Sequence, residues 1–157
     1  LAMNSNYERA FNMLCQYEGF TSDLKGDAGG YTIWGITERW YPKDVEAMMV
    51  MTPQSSKEYA KAFYKREFWD KAGCDNLPLP IDIITFDTAV NCGLHAAKKM
   101  LVESKNDWKD YIYRRLFYYS ILVKEKPDQL KFLRGWLNRC LSLWMQFKDI
   151  STVQAGG

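Results

Sequence analysis

Glu18 is the residue whose type and spacing best suit it to do chemistry. It stands four positions after Leu14 and seven after Phe11, on the apolar stripe of a helix formed by Tyr7, Ala10, Phe11, Leu14 and Tyr17. Gly19 follows as a natural helix stop, so this helix is predicted to end by pointing an acid inward. Close behind comes Gly26-Asp27-Ala28-Gly29-Gly30-Tyr31-Thr32-Ile33-Trp34-Gly35-Ile36-Thr37. Its glycines break any helix and its Tyr, Thr, Ile and Trp favour extended backbone, which predicts a tight hairpin. A carboxyl group withdrawn from water has its pKa raised and can protonate a leaving oxygen. Set beside a loop that carries an Asp and a Thr, such an acid suits hydrolysis of a glycosidic bond. The same residues would also make an ordinary N-terminal helix with an acid near its end and a turn after it.

The elements that must position these groups are mainly helical. Ser5 and Glu8 have the spacing of a capping box and start the first helix. After the hairpin, Thr37 can cap a short helix through Trp40 that Pro42 terminates, and Asp44 can cap another through Val50. Thr52-Pro53 opens an amphipathic helix in which Ala60, Phe63, Tyr64, Glu67 and Phe68 keep helical spacing until Gly73. Leu77-Pro78-Leu79-Pro80 reads as a short rigid loop. From Ile81 to Asn91 the chain is apolar on nearly every side before Gly93 stops it, the pattern of a central helix. Asp87 and Asn91 share one face of that helix, as a hydrogen-bond network tying helices together or as the wall of a sugar-binding cleft. A short helix over His95 to Val102 follows, and Asp107 caps another from Trp108 to Val123 with a stripe of Trp108, Tyr111, Ile112, Arg115, Leu116, Tyr119 and Leu122. Pro127 is predicted to start the last long helix, with Leu130, Leu133, Leu137, Leu141 and Trp144 as its buried stripe.

Composition narrows the function classes without choosing among them. A chain of 157 residues is about one domain, able to bury roughly two-thirds of its unfolded surface. Aromatic residues make up 15%, rich in Trp and Tyr, which serves a core and equally serves stacking on sugars. A net charge of only +2, with Lys and Arg interspersed among Asp and Glu, argues against a nucleic-acid binder. Cys15, Cys74, Cys92 and Cys140 lack any Cys-x-x-Cys spacing and His95 is the lone histidine, so no metal site and no cofactor are expected and free thiols are. No apolar run approaches about 18 residues, so no stable membrane insertion is expected. No signal peptide is evident, so a protein working in the periplasm or outside would be made in the cytoplasm and carried out by something else.

Glu18-Gly19-Phe20, Asp27-Ala28-Gly29-Gly30 and Thr32-Ile33-Trp34-Gly35-Ile36-Thr37, in that order and separation, resemble the opening motif of glycoside hydrolase family 108. These are peptidoglycan-cleaving N-acetylmuramidases of phage endolysins and of bacterial proteins described as secretion activators. The order also resembles the Glu, Asp, Thr triplet of phage-type lysozymes, with Asp27 nine positions after Glu18 and Thr32 five further on. Phe63-Tyr64 with Trp69, the run from Asp82 through Asp87 to Asn91-Cys92-Gly93, and Phe132-Leu133-Arg134-Gly135-Trp136-Leu137-Asn138-Arg139 are similar to the family as well. Where the family usually has a second glycine followed by an aromatic after the Glu-Gly pair, this chain has Phe20-Thr21.

The resemblance implies a mainly α, lysozyme-like helical bundle with a small β-hairpin lobe beside the active-site cleft. It implies a catalytic region over residues 1–93, a C-terminal helical peptidoglycan-binding region over 94–149 packed with it as one compact body, and a frayed tail over 150–157. Glu18 would be the general acid, Asp27 and Thr32 would stabilise the charged sugar and position water, and Tyr31 and Trp34 would contact sugar rings, with Asp87 and Asn91 lining the cleft. The expected protein is a monomeric muramidase whose partners are peptidoglycan glycan strands. A lytic transglycosylase, which needs only a lone Glu, and a non-catalytic wall-binding module that keeps the fold are the alternatives.

Overall fold

The computed structural model describes residues 5–19, 21–22 and 30–150. The chain divides into two compact units, Leu1–Lys71 and Ala72–Gly157. The fold is mainly α with one small three-stranded antiparallel sheet.

In the first unit, helix α1 (Ser5–Leu14) buries Tyr7, Ala10, Phe11 and Leu14, the stripe that its spacing predicts. Glu8 does its work across helices, because both of its oxygens stand 2.5 Å from Lys61 Nζ. Strands β1 (Thr21–Ser22), β2 (Thr32–Ile33) and β3 (Ile36–Thr37) pair in sequence order, with Ile33 opposite Thr21 on one side and Ile36 on the other. Pro42 begins helix α2 (Pro42–Met49) instead of ending a helix before it. Its fixed φ and missing N–H are harmless at the first helical position, and residues 38–40 form only a turn closed by Tyr41 N donating to Thr37 O at 2.9 Å. Helix α3 (Pro53–Tyr64) starts as the sequence indicates, with Thr52 Oγ1 accepting from Ser55 N at 3.2 Å. A six-residue π-helical stretch, Lys65–Asp70, continues it, and the wider winding brings Lys65 Nζ to 2.8 Å from Asp70 five residues on. Aromatic edges close this core: Tyr7 meets Trp69 at 5.2 Å and Phe63 meets Tyr41 at 4.8 Å between ring centroids.

The second unit is built on α4 (Ile81–Cys92), whose residues from Ile81 to Ala89 are all buried, the polar Asp82, Thr85, Asp87 and Thr88 among them, as a central helix requires. Gly93 ends it at φ 93°, and α5 (Leu94–Ser104), α6 (Trp108–Glu125) and α7 (Leu133–Phe147) follow. Asp107 caps α6 by accepting from the N–H groups of Lys109 and Asp110. The compact units part at residue 71, whereas the sequence suggested regions meeting at 93; α4 packs on α5 and α6 and so groups with the C-terminal helices.

The last helix differs from expectation in start and in face. Pro127–Phe132 is a tight 3-10 stretch, and α7 then buries Arg139, Cys140, Leu143 and Phe147, leaving Leu130, Leu137, Leu141 and Trp144 exposed. The cause is a buried charge. Asp87 on α4 takes Arg115 Nη1 at 2.7 Å and Arg139 Nη2 at 2.8 Å, so α7 must turn its arginine inward at the expense of its leucine stripe. Around this pair, Arg115 donates to Tyr119 Oη at 2.9 Å and to Thr88 Oγ1 at 3.2 Å, and Tyr119 donates to Asn91 Oδ1. Burial alone would raise the Asp87 pKa, but the two guanidiniums outweigh it and hold the carboxyl below its usual range.

Asp87→Asn would leave two buried cations facing a neutral amide and should cost about 3–5 kcal/mol of stability at neutral pH in denaturant unfolding. Because the folded carboxyl is depressed, its contribution is complete above the ordinary carboxylate range and disappears as pH falls through the lowered value. The gap between wild type and variant should therefore narrow on acidification. A constant gap down to strong acid would show that the ion pairs are not what the substitution removed.

Candidate active site

Helical hydrogen bonding runs past the end of α1, with Cys15 N donating to Phe11 O and Glu18 N to Leu14 O, each at 3.0 Å. That extension carries Glu18 to a half-buried position on the side of the apolar stripe. The β2–β3 connection is a two-residue turn, Trp34-Gly35, with φ of 51° and 79°. Positive φ at both central residues matches the right-handed twist of the flanking strands, as a type I′ hairpin loop demands. Glycine accepts this freely; tryptophan does so under strain.

Helix α3 holds the strained residue from three points. Trp34 Nε1 donates to Ser56 Oγ at 3.0 Å, Trp34 O accepts from Tyr64 Oη at 2.8 Å, and Lys57 Nζ lies 5.8 Å from the centre of the indole. The turn is thereby pressed onto the acid. A methyl group built on Gly35 would lie 2.6 Å from Glu18 Oε2 and 2.8 Å from Tyr64 Oη, so both oxygens abut the same face of the glycine. Glu38 secures the strand entry in the same fashion: its N–H donates to Tyr31 O at 2.8 Å, its carboxylate accepts from Tyr31 N at 3.0 Å, and it packs against Gly30 at φ 73°.

These contacts bring Glu18, Trp34 and Gly35 together, with Thr32 two residues before the turn in β2 and the 49% exposed Tyr31 beside it. Asp27 lies outside the described residues, as does the Gly26–Gly29 part of the hairpin. At Asp87 and Asn91 the structure holds the hydrogen-bond network, one of the two readings open for that strip, within the second unit. Ser56, Lys57, Tyr64, Gly35 and Glu38 were not singled out from the sequence as site residues. Ser56, Ala60, Phe63 and Tyr64 do share a buried helical face, so the position of Tyr64 was legible although the partner of its hydroxyl was not. Among the described residues no group of three His, Cys, Asp or Glu side chains could hold a metal ion, and the four cysteines are free thiols.

A mainly α chain whose β2–β3 turn is seated against an acid just past the end of α1 has a lysozyme-like fold. The chain belongs to the glycosyl hydrolase 108 family, which its residues 11–93 match. That membership makes it a glycoside hydrolase of a peptidoglycan-acting family. Its fold is similar to the structure of Brucella abortus SagA, with a TM-score of 0.67 at 22% sequence identity over 90% of this chain and 93% of that one. No curated protein matches the chain.

Gly35→Ala should both strain a positive φ and drive a methyl group into the Glu18 carboxylate and the Tyr64 hydroxyl. The expected loss is about 1–3 kcal/mol of stability, accompanied by a loss of hydrolysis. Ser56→Ala removes the acceptor of Trp34 Nε1 together with the hydroxyl that donates to Pro53 O at 2.9 Å, and should cost about 1 kcal/mol. Denaturant midpoints compare the two, and a Gly35→Ala protein as stable and active as wild type would refute the close approach.

Proposed function

We propose that this protein is an N-acetylmuramidase, hydrolysing the β-1,4 linkage from N-acetylmuramic acid to N-acetylglucosamine with Glu18 as general acid. The observation that supports it most is the seat of Glu18 against Gly35, in a chain of the glycosyl hydrolase 108 family. Glu18 gives its proton to the departing glycosidic oxygen while the bond from that oxygen to the anomeric carbon breaks. Water adds at the anomeric carbon from the opposite face, and its proton passes to Asp27. The Glu, Asp, Thr order shared with phage-type lysozymes supports Asp27 and Thr32 in this part, and a single displacement of this kind inverts the anomeric centre. Tyr31 and Trp34 offer aromatic faces to sugar rings. The protein would act as a monomer on the glycan strands of the cell wall, in the periplasm or outside, after synthesis in the cytoplasm, without binding nucleic acid.

Purified peptidoglycan digested by the protein should yield fragments with reducing muramic acid ends, read by mass. Anhydro-muropeptides, lighter by one water, would assign a lytic transglycosylase instead. Glu18→Gln keeps the shape but has no proton to give, so cleavage should fall about 10²–10⁴-fold while binding persists. Asp27→Asn should lower turnover much more than it weakens binding, because an amide can neither take the proton of the attacking water nor stabilise the positive charge that develops only at the transition state. Wild-type turnover by a folded Glu18→Gln protein would sink the acid assignment.

A further inference from the structure

Helix α3 places two lysines one helical turn apart, and their surroundings differ. Lys61 is neutralised by Glu8, with its Nζ 2.5 Å from each carboxylate oxygen. Lys57 makes no hydrogen bond or ion pair among the described residues. Its ammonium instead stands 5.8 Å from the centre of the Trp34 ring, half-buried. The indole is held by Ser56 and the Trp34 backbone carbonyl by Tyr64, so the cation has a fixed floor. The next residue, Gly35, abuts the Glu18 carboxylate. Cys15 feels both charges: burial raises its thiol pKa, Lys57 works against this and Glu18 adds to it. An ammonium without an ion-pair partner among the described residues, a rigid aromatic face and the acid thus cluster in one place, although the ion pair with Glu8 shows that this helix can neutralise a lysine.

We propose that Lys57 is a specificity-determining residue that recognises a carboxylate on the glycan while the sugar lies against Trp34. This rests on the muramidase reading of Glu18. The carboxylate has two possible sources, the lactyl group of N-acetylmuramic acid and the peptide stem attached to it, and both are absent from chitin. The strongly hydrated point charge of a lysine exchanges its water for one carboxylate, and the Trp34 ring limits how far the ammonium must be reordered.

Lys57→Met keeps the aliphatic stem on the indole and removes only the charge. Dissociation constants measured in the Glu18→Gln background need no turnover, so they remain readable even if the wild type proves not to cleave. Three probes are compared: glycan with peptide stems, stem-free glycan with free lactyl carboxylates, and a chitin oligosaccharide. Lys57→Met should weaken binding of the carboxylate-bearing glycans about tenfold, the worth of one charge-assisted hydrogen bond, and leave chitin binding unchanged. Because the lactyl carboxyl is an amide wherever a stem is attached, loss on the stem-free glycan alone assigns the lactyl carboxylate, loss on the stemmed glycan alone assigns the stem, and loss on both shows that Lys57 takes either carboxylate. Amidating the carboxylates should produce the same drop with Lys57 intact, and Lys57→Arg should retain most of the preference. Equal weakening on chitin, or no weakening on any glycan, would overturn the proposal. Failure of the wild type to release muramic acid fragments would instead count against the muramidase reading, because it leaves the binding comparison untouched.

Discussion

A carboxylate buried among helices has to be neutralised where it stands, and Asp87 imposes that condition on three helices of the second unit. Arg115 on α6 and Arg139 on α7 both reach it, and they determine which faces those helices bury. The rotation of α7 follows from this: turning Arg139 inward carries Cys140, Leu143 and Phe147 into the core and leaves Leu137 and Leu141 in solvent. Thr88, Asn91 and Tyr119 then satisfy the remaining polar atoms around Arg115, so the charges sit in a connected network and not in isolation. A buried pair of this kind contributes little compared with a well-packed apolar replacement, but half of it is costly. Its consequence here is a defined helix orientation.

The first unit stores its constraint in the backbone. Two successive residues at positive φ close the β2–β3 hairpin, and one of them is a tryptophan. Such strain persists only where the surroundings over-determine it, which Ser56, Lys57 and Tyr64 do from a single face of α3. Fixing the turn places the one residue without a side chain where the Glu18 carboxylate arrives. Glycine therefore serves twice at position 35, in its φ and in the space that it leaves open.

Aromatic residues divide their labour accordingly. Tyr7, Phe11, Phe63 and Trp69 are core, each nearly inaccessible and in edge or tilted contact with a neighbour. Tyr31 and Trp34 keep accessible faces at the turn beside the acid. Composition alone could not separate these groups, since a buried ring and an accessible one come from the same residue types.

Local signals were the ones that the sequence by itself determined. The α1 stripe, the Thr52 and Asp107 caps, the largely apolar α4 and the stop at Gly93 each depend on residues a few positions apart, where covalent geometry fixes who can meet whom; the Trp34-Gly35 turn does not belong with them, because Trp34 reads as extended in the sequence. The Glu18, Asp27, Thr32 order and the surrounding motif likewise made the family legible. Tertiary structure decided everything that joins distant segments: Glu8 pairing with Lys61 across helices, Pro42 opening α2, the true buried face of α7, and Asp87 held between two arginines. A leucine stripe predicts burial only when no stronger demand turns the helix, and a buried carboxylate 52 residues away in sequence made that demand. The meeting of Glu18, Gly35 and Tyr64 has the same origin, because contact between residues far apart in sequence is fixed by packing and leaves no periodic trace in the chain.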